Sequence, residues 1–316
     1  MGESEPAQGA AGASEERQGT PFLVLQFFVF PMAIVAVCAT VFVVFGLISA
    51  EGKTPRSYLA EVRAGGGLFN VKRWQAAFAL ANSLETHKDL GRSDPQFVDE
   101  VVGLFQDSKG DDPLIRRYLA LALGRLGDRR AVTCLRQALD EATAESDSQT
   151  VIYAAWALGV LGDPAAVPEL VKLGASDDPG VRKASVHALG AFDTPEAQAA
   201  LRSALADGVD DVRWNAAIAL GRRGDERAAP VLLAMLSRAS LESVTVRGAA
   251  AAERPSPDQV EAALLEASAA AVRIPDPALR AALERLRDLD PSLKVREAAR
   301  TALAAPQAPP TAAATP

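Results

Sequence analysis

Two histidines and two cysteines are the entire supply of imidazole and thiol groups in this 316-residue chain. His87 lies in "ETHKDL" and His187 in "SVHALG", far apart, and neither is followed by Glu. That arrangement gives no metal-ligand spacing. Cys38 sits in an uncharged apolar run and Cys134 in a helix-like pattern, so neither a disulfide framework nor a Cys–His pair is expected. Gly-rich phosphate loops and the G-x-S-x-G elbow are missing from the sequence. No catalytic, metal or cofactor-binding residue is therefore expected. What remains is recognition chemistry. The three tryptophans, Trp74, Trp156 and Trp214, and the cations Arg117, Arg125, Lys183 and Arg222 are the candidate partner-binding residues. Trp and Arg are the types that dominate binding energy at protein interfaces.

All seven share one register. The words "IRRYLALALG" from Ile115, "TVIYAAWALG" from Thr150, "VRKASVHALG" from Val181 and "VRWNAAIALG" from Val212 end on Gly124, Gly159, Gly190 and Gly221, which are 35, 31 and 31 residues apart. Weaker copies start at Lys72, Val246 and Val295. With the glycine as position 9, Arg occupies position 1 in Arg73, Arg116, Arg182, Arg213, Arg247 and Arg296. At ~100° per residue, positions 0, 4, 8 and 11 form a core face. Small residues at positions 5 and 7 let neighbouring helices approach closely. Positions 2, 3, 6 and 10 lie opposite the core and hold all seven candidates, together with Phe78, Leu121, Ile152, Val160, His187 and Ile218. Two roles are open to this face. It is either a partner groove suited to an acidic or amphipathic segment, or, at position 6 above all, a set of side chains wedged between neighbouring repeats. The position-1 arginines are expected to form a ladder of Asp–Arg pairs with acids such as Asp178 and Asp210.

Positioning these residues requires helices in pairs. A second apolar pattern at i, i+3, i+4 and i+7 precedes the repeated words, as in "PQFVDEVVGLFQD" from Pro95, "AAVPELVKLGA" from Ala165, "PEAQAALRSALAD" from Pro195 and "ERAAPVLLAML" from Glu226. Asp112-Pro113 and Asp178-Pro179 read as an N-cap followed by proline in the first turn, and "LGD" as a stop. The unit is two helices in roughly 31–35 residues, and stacked units share a continuous core. Tyr58, Leu59 and Val62 make a first helix ahead of Lys72, joined to it through Gly65, Gly66 and Gly67. Residues 254–291 depart from the period and read as an irregular or capping repeat.

The phrases "DDPGVRKASVHALGAF" and "GVDDVRWNAAIALGRRGD" resemble the HEAT family, specifically the short HEAT-like repeats named after phycobilisome lyases. The resemblance extends over about residues 70 to 304. It implies an all-α solenoid of about six to seven repeats over residues 54–304, with the second helix of each pair lining the inner, concave side. It implies a recognition scaffold rather than a chemistry. The iron-dependent hydroxylases built on such repeats carry paired His-Glu steps, which this chain lacks.

Ahead of the repeats, Phe22 to Ile48 carries no charge. A span of ~30 Å of hydrocarbon takes ~20 apolar residues, so residues 21–50 are expected to form a single transmembrane helix, kinked or begun at Pro31. The run is too long, and its flank too acidic, for a cleaved signal peptide. Residues 1–20, with Glu3, Glu5, Glu15 and Glu16, and the Pro/Ala stretch 305–316 read as disordered tails. Lys53, Arg56, Arg63, Lys72 and Arg73 follow the apolar run, whereas only Arg17 precedes it. The positive-inside bias then places the solenoid on the cytoplasmic side, and the Ala-rich, Arg-over-Lys composition suggests a GC-rich bacterial source, so the membrane is expected to be a bacterial inner membrane. The net charge of −7 argues against nucleic acid as a partner.

The expectation is a membrane-anchored, non-enzymatic scaffold of HEAT-like repeats. Its partner would be a protein, either a neighbouring membrane complex or a soluble protein recruited to the surface. Two alternatives stay open: an extracytoplasmic solenoid in envelope assembly, and a bilin-lyase-like enzyme.

Overall fold

Acidic and hydroxyl side chains placed just before proline set where the helices begin. Asp112 accepts a hydrogen bond from the Leu114 amide at 2.9 Å, and Asp178 accepts one from the Gly180 amide at 2.7 Å. Pro113 and Pro179 occupy first-turn positions, where a missing N–H costs nothing. The "LGD" words end one helix and start the next. Gly127 and Gly162 take left-handed φ values of 66° and 63°, conformations that cost a Cβ-bearing residue energy. Asp163 then caps the following turn by accepting from the Ala165 amide at 3.0 Å.

The computed structural model describes Thr40 and residues 53–64, 71–142, 147–244, 246–247 and 252–305. The chain divides into two units, Met1–Lys53 and Thr54–Pro316. In the first, Thr40 is helical. The transmembrane helix expected over residues 21–50 lies, Thr40 apart, outside the described residues, as do the tail 1–20, the joint at Gly65–Gly67 and residues 306–316. Among the described residues no helix is long and apolar enough to cross a membrane.

The second unit is a stack of helix pairs. The helices are α1 (Pro55–Arg63), α2 (Val71–Thr86), α3 (Leu90–Ser93), α4 (Pro95–Asp107), α5 (Pro113–Leu126), α6 (Ala131–Ala142), α7 (Ser148–Leu161) and α8 (Val167–Leu173). They continue as α9 (Pro179–Leu189), α10 (Pro195–Ala204), α11 (Asp210–Gly221), α12 (Ala229–Met235), α13 (Arg238–Ser243), α14 (Pro257–Ala271), α15 (Pro277–Leu289) and α16 (Leu293–Ala304). Pairs form as α1 with α2, α4 with α5, α6 with α7, α8 with α9, α10 with α11, α12 with α14 and α15 with α16. The second helices α2, α5, α7, α9, α11, α14 and α16 pack on one another in that order, more extensively than the first helices do. Tighter packing along one side of the stack makes the second-helix row the inner one.

The core follows the repeated register. Val181, Ser185, Leu189 and Phe192 are buried in one repeat, and Val212, Ala216 and Leu220 in the next. Ser185 satisfies its hydroxyl by donating to the Leu170 carbonyl at 2.6 Å, which lets a polar group sit in this core. Positions 5 and 7 are small and buried, as in Ala120 and Ala122 or Ala155 and Ala157.

One expected copy is not helical where it was expected. Val246–Arg247 pairs antiparallel with Ala252–Glu253 as a two-stranded ribbon, so the word from Val246 does not supply a second helix. Helix α14 takes that place. A Cβ on Gly221 would stand 2.8 Å from the Ala270 carbonyl oxygen and 3.2 Å from the Ala270 Cβ. The two helices expected within 254–291 are thus the second helix of one repeat and the first helix of the next. Val246–Arg247 carries arginine at position 1 but no "ALG", and the word lacks the glycine that admits a close neighbour.

Candidate functional site

The face opposite the core is built from the exposed edges of α2, α5, α7, α9 and α11. It begins with an aromatic row. The Trp74 ring stacks on Tyr118 with centroids 6.4 Å apart and planes 29° apart. Phe78 meets the same Tyr118 edge-on at 5.1 Å, and Tyr118 meets Tyr153 edge-on at 6.4 Å. The row crosses from α2 to α5 to α7. Phe78 is 44% exposed, and Val160, at the end of α7, is 51% exposed. Offset and edge-to-face ring contacts of this kind add ~0.5–1.5 kcal/mol each beyond buried area.

Tyr118 and Tyr153 are the functional candidates that reasoning from tryptophan and cations passed over. They hold position 3 of the same register, so the signal was present in the alignment of the words. Their role as the middle of the row depends on which ring meets which, and spacing does not give that.

The tryptophans do not behave alike. Trp74 belongs to the row. Trp156 lies across Gly124 of the preceding second helix, its Cζ3 2.8 Å from where a Cβ on that glycine would be, and so is wedged between repeats. Trp214, on α11, is half-buried and packs on the core edge. At position 6, Phe78 and His187 are exposed while Leu121, Trp156 and Ile218 are half-buried.

The four candidate cations are all engaged within the chain. Arg117 donates through Nη2 to Asp147 at 2.8 Å. Arg125 donates through Nη1 to the Ala81 carbonyl at 2.7 Å and to Asn82 Oδ1 at 2.9 Å, with Glu85 3.4 Å from Nη2. Lys183 donates to Asp211 at 2.7 Å, and Arg222 pairs with Glu266. Each contact joins one second helix to the next along the row. The Asp147 carboxyl lies below its usual range; burial opposes its ionisation, and hydrogen bonds from Thr150 and Arg117 outweigh that burial. The polar part of this face therefore links neighbouring repeats, and each of its four candidate cations has an acceptor from this chain beside it.

The position-1 arginines form a second ladder on the same principle. Arg73 pairs with Asp111 at 2.8 Å, Arg116 with Glu141 at 3.0 Å, and Arg182 with both oxygens of Asp207 at 2.8 and 3.0 Å. Arg213 pairs with Asp210 and donates to the Asp207 carbonyl at 2.6 Å. Asp178 serves as an N-cap, and the partner of Arg182 comes from the following repeat.

The groups capable of chemistry are kept apart or shielded. His87 Nδ1 lies 2.7 Å from the Ser83 carbonyl at the end of α2, far along the chain from His187 on α9. Burial pushes the Cys134 thiol up to about 11, so it stays protonated near neutral pH. Among the described residues no group of three His, Cys, Asp or Glu side chains could hold a metal ion.

Comparisons with known proteins agree with the stacked pairs. The HEAT repeats family model matches residues 139–213, and the PBS lyase HEAT-like repeat model matches residues 115–141 and 212–238. No significant match is found among curated proteins. Among solved structures the chain is similar to the complex of CpcE and CpcF of phycocyanin lyase from Nostoc sp. PCC7120. That likeness has 22% identity and a TM-score of 0.48, and covers 80% of this chain and 95% of that one. It is also similar to human deoxyhypusine hydroxylase in complex with glycerol, at 22% identity and a TM-score of 0.31, covering 78% of this chain and 88% of that one. At these scores neither likeness speaks to what this chain binds or does. The repeated words, the interlocked second helices and the matched family models together identify residues 115–238 of this chain as HEAT repeats.

Proposed function

We propose that this chain is a non-enzymatic scaffold, held at a bacterial inner membrane by residues 22–48, that captures a protein partner on the inner face of its cytoplasmic HEAT-like stack. The observation that carries the reading is the aromatic row of Trp74, Phe78, Tyr118 and Tyr153, with Phe78 left 44% exposed while other large rings such as Phe97 and Phe105 are buried. Rigid rings presented from packed helices give contact area at low entropic cost. Because the cations beside them already carry acceptors, the partner contributes an apolar or amphipathic segment rather than an acidic one.

The test is purification of the full-length protein from its native membrane in mild detergent, beside a variant with Trp74 and Phe78 changed to Ala. Co-purifying proteins are identified by mass spectrometry and then re-bound in purified form. A partner held by the native chain and lost from the variant supports the reading. A partner held equally by both moves binding off the inner face. Recovery of the native chain in the soluble fraction after lysis removes the membrane part of the proposal.

A further inference from the structure

The ladder of position-1 arginines is open at one end. Arg73, Arg116 and Arg182 each take a carboxylate from the following repeat: Asp111 at 2.8 Å, Glu141 at 3.0 Å and Asp207 at 2.8 Å. Arg117, Lys183 and Arg222 pair forward in the same sense, with Asp147, Asp211 and Glu266. Arg296 holds position 1 in the last word, on α16, and no described helix follows it. It is half-buried, and among the described residues it has no acidic partner. Residues 305–316 contain neither Asp nor Glu.

Arg296 sits in an open depression between α15 and α16, lined also by Arg287, Asp288, Leu293, Glu297 and Arg300. Arg287 donates to Asp288 at 2.7 and 2.8 Å, and Arg300 to Glu297 at 2.8 Å. Those pairs balance, so one uncompensated guanidinium remains. Apolar surface lies beside it. Leu293 is 72% exposed and Leu289, at the other side of the same corner, 78%, more than any other large apolar side chain among the described residues. The residue two places before the word is Pro113, Ser148, Pro179 or Asp210 in the stronger copies, so a leucine there departs from the pattern. The corner is held in place. Asp290 accepts from Arg238 at 2.9 and 3.0 Å and from the Ser292 amide at 2.9 Å. A surface fixed in advance loses little freedom on binding.

Within the stack, the group that answers a position-1 arginine is a carboxylate near the end of a first helix or in the corner after it, as at Glu141, Asp111 and Asp207. A second copy stacked head to tail does not supply the corner acid, because residues 64–70, between α1 and α2, contain neither Asp nor Glu. We propose that the outer face of α15 and α16 docks an acidic, amphipathic segment of a partner protein, with a carboxylate on Arg296 and an apolar side chain on Leu293. An arginine–carboxylate pair is charge-assisted and directional, and the leucine adds apolar area beside it. The contact continues the established pairing between repeats by one more rung. It lies at the end of the stack, apart from the inner face, and shares no residue with the aromatic row.

The probe is a fluorescein-labelled, C-terminally amidated peptide of residues 195–209, which carries Asp207, the acid that Arg182 takes within the stack. It presents to Arg296 what a following repeat presents to its neighbour. Anisotropy with the full-length protein in mild detergent should show saturable binding that weakens with added salt. Binding should weaken roughly tenfold when the peptide carries Asp207→Asn, and by a similar factor when the protein carries Arg296→Ala or Leu293→Ser with an unchanged melting temperature. Leu293 is mostly exposed, so its variant serves if Arg296→Ala folds poorly. No saturation at millimolar peptide, or equal binding of the Asp207→Asn peptide, overturns the proposal. So does light scattering that shows several copies for the native chain and one for Arg296→Ala, which would give the end of the stack to a second copy. Neither result touches the reading of the inner face.

Discussion

Gly159 lies so close to Ala188 that a Cβ on the glycine would stand 2.9 Å from the alanine Cα and 3.1 Å from its Cβ. The same relation recurs between Gly124 and Ala157, at 2.9 and 3.0 Å, and between Gly190 and the Cβ of Ala219, at 3.2 Å. Position 9 of one repeat is thus seated on position 7 of the next. The word A-L-G supplies both halves of a joint: an alanine that faces backward and a glycine that faces forward, with a buried leucine between them. A larger residue at either place would push the second helices apart along the inner row.

Gly159→Ala is expected to destabilise the protein by ~1–3 kcal/mol, because the atoms it meets are the Ala188 backbone and the Cβ fixed to it, which cannot swing aside. Gly103 in α4 is the control. A Cβ there meets nothing within 4 Å, and Gly103→Ala should stabilise by ~0.5–1 kcal/mol through lost unfolded-state freedom. Thermal unfolding of the two variants should move in opposite directions; two shifts of the same sign would show that the joint is not tight.

The pairs between repeats should make stability depend on pH in one direction only. The Arg182 guanidinium hydrogen-bonded to Asp207 holds that carboxyl below the usual range, and Arg136 does the same for Glu169. A carboxyl whose folded pKa is depressed contributes stability that is full above its unfolded value, near ~4, and is lost as pH falls through the folded value. The melting temperature should therefore hold between about pH 8 and about pH 5 and fall below that. Asp207→Asn should flatten the acid limb and cost about 2 kcal/mol at neutral pH. Melting temperatures that rise on acidification below pH 5 would contradict the ladder.

Two phenylalanines separate core from surface. Phe97 is fully buried and Phe78 is 44% exposed. Phe97→Ala should cost ~3–5 kcal/mol, and Phe78→Ala no more than ~1 kcal/mol. Urea unfolding of both variants checks the contrast. A large loss at Phe78 would return the aromatic row to the core and remove its claim to a partner.

The Cys134 thiol should resist iodoacetamide at pH 8 in the native protein and react once the protein is unfolded, because burial keeps it protonated and shielded. Mass spectrometry of the Cys134 peptide, with and without urea, reads this out. Rapid native labelling would show that α6 opens readily.

The paired-helix stack could be read from the sequence because each repeat meets only its neighbours, so the same local demands are written again at nearly constant spacing. Asp before Pro at Asp112 and Asp178, the glycine stops at Gly127 and Gly162, and the buried Val181, Leu189, Val212 and Leu220 all follow from patterns within a few turns of helix. The word at Val246 was misleading because its arginine matched while its joint glycine was missing, and helix α14 filled the gap from farther along the chain.

The inner face was legible in position but not in character. The register placed Trp74, Arg117, Arg125, Trp156, Lys183, Trp214 and Arg222 on one side, because the helical period fixes direction. Only the tertiary structure decided that the four cations are held by Asp147, the Ala81 carbonyl with Asn82, Asp211 and Glu266, and that Trp74 joins a row centred on Tyr118 while Trp156 is wedged against Gly124. Those partners sit on adjacent helices, from 28 to 44 residues away. A long side chain meets whichever group the neighbouring helix brings within reach, and that depends on the distance and rotation between helices rather than on the period within either one.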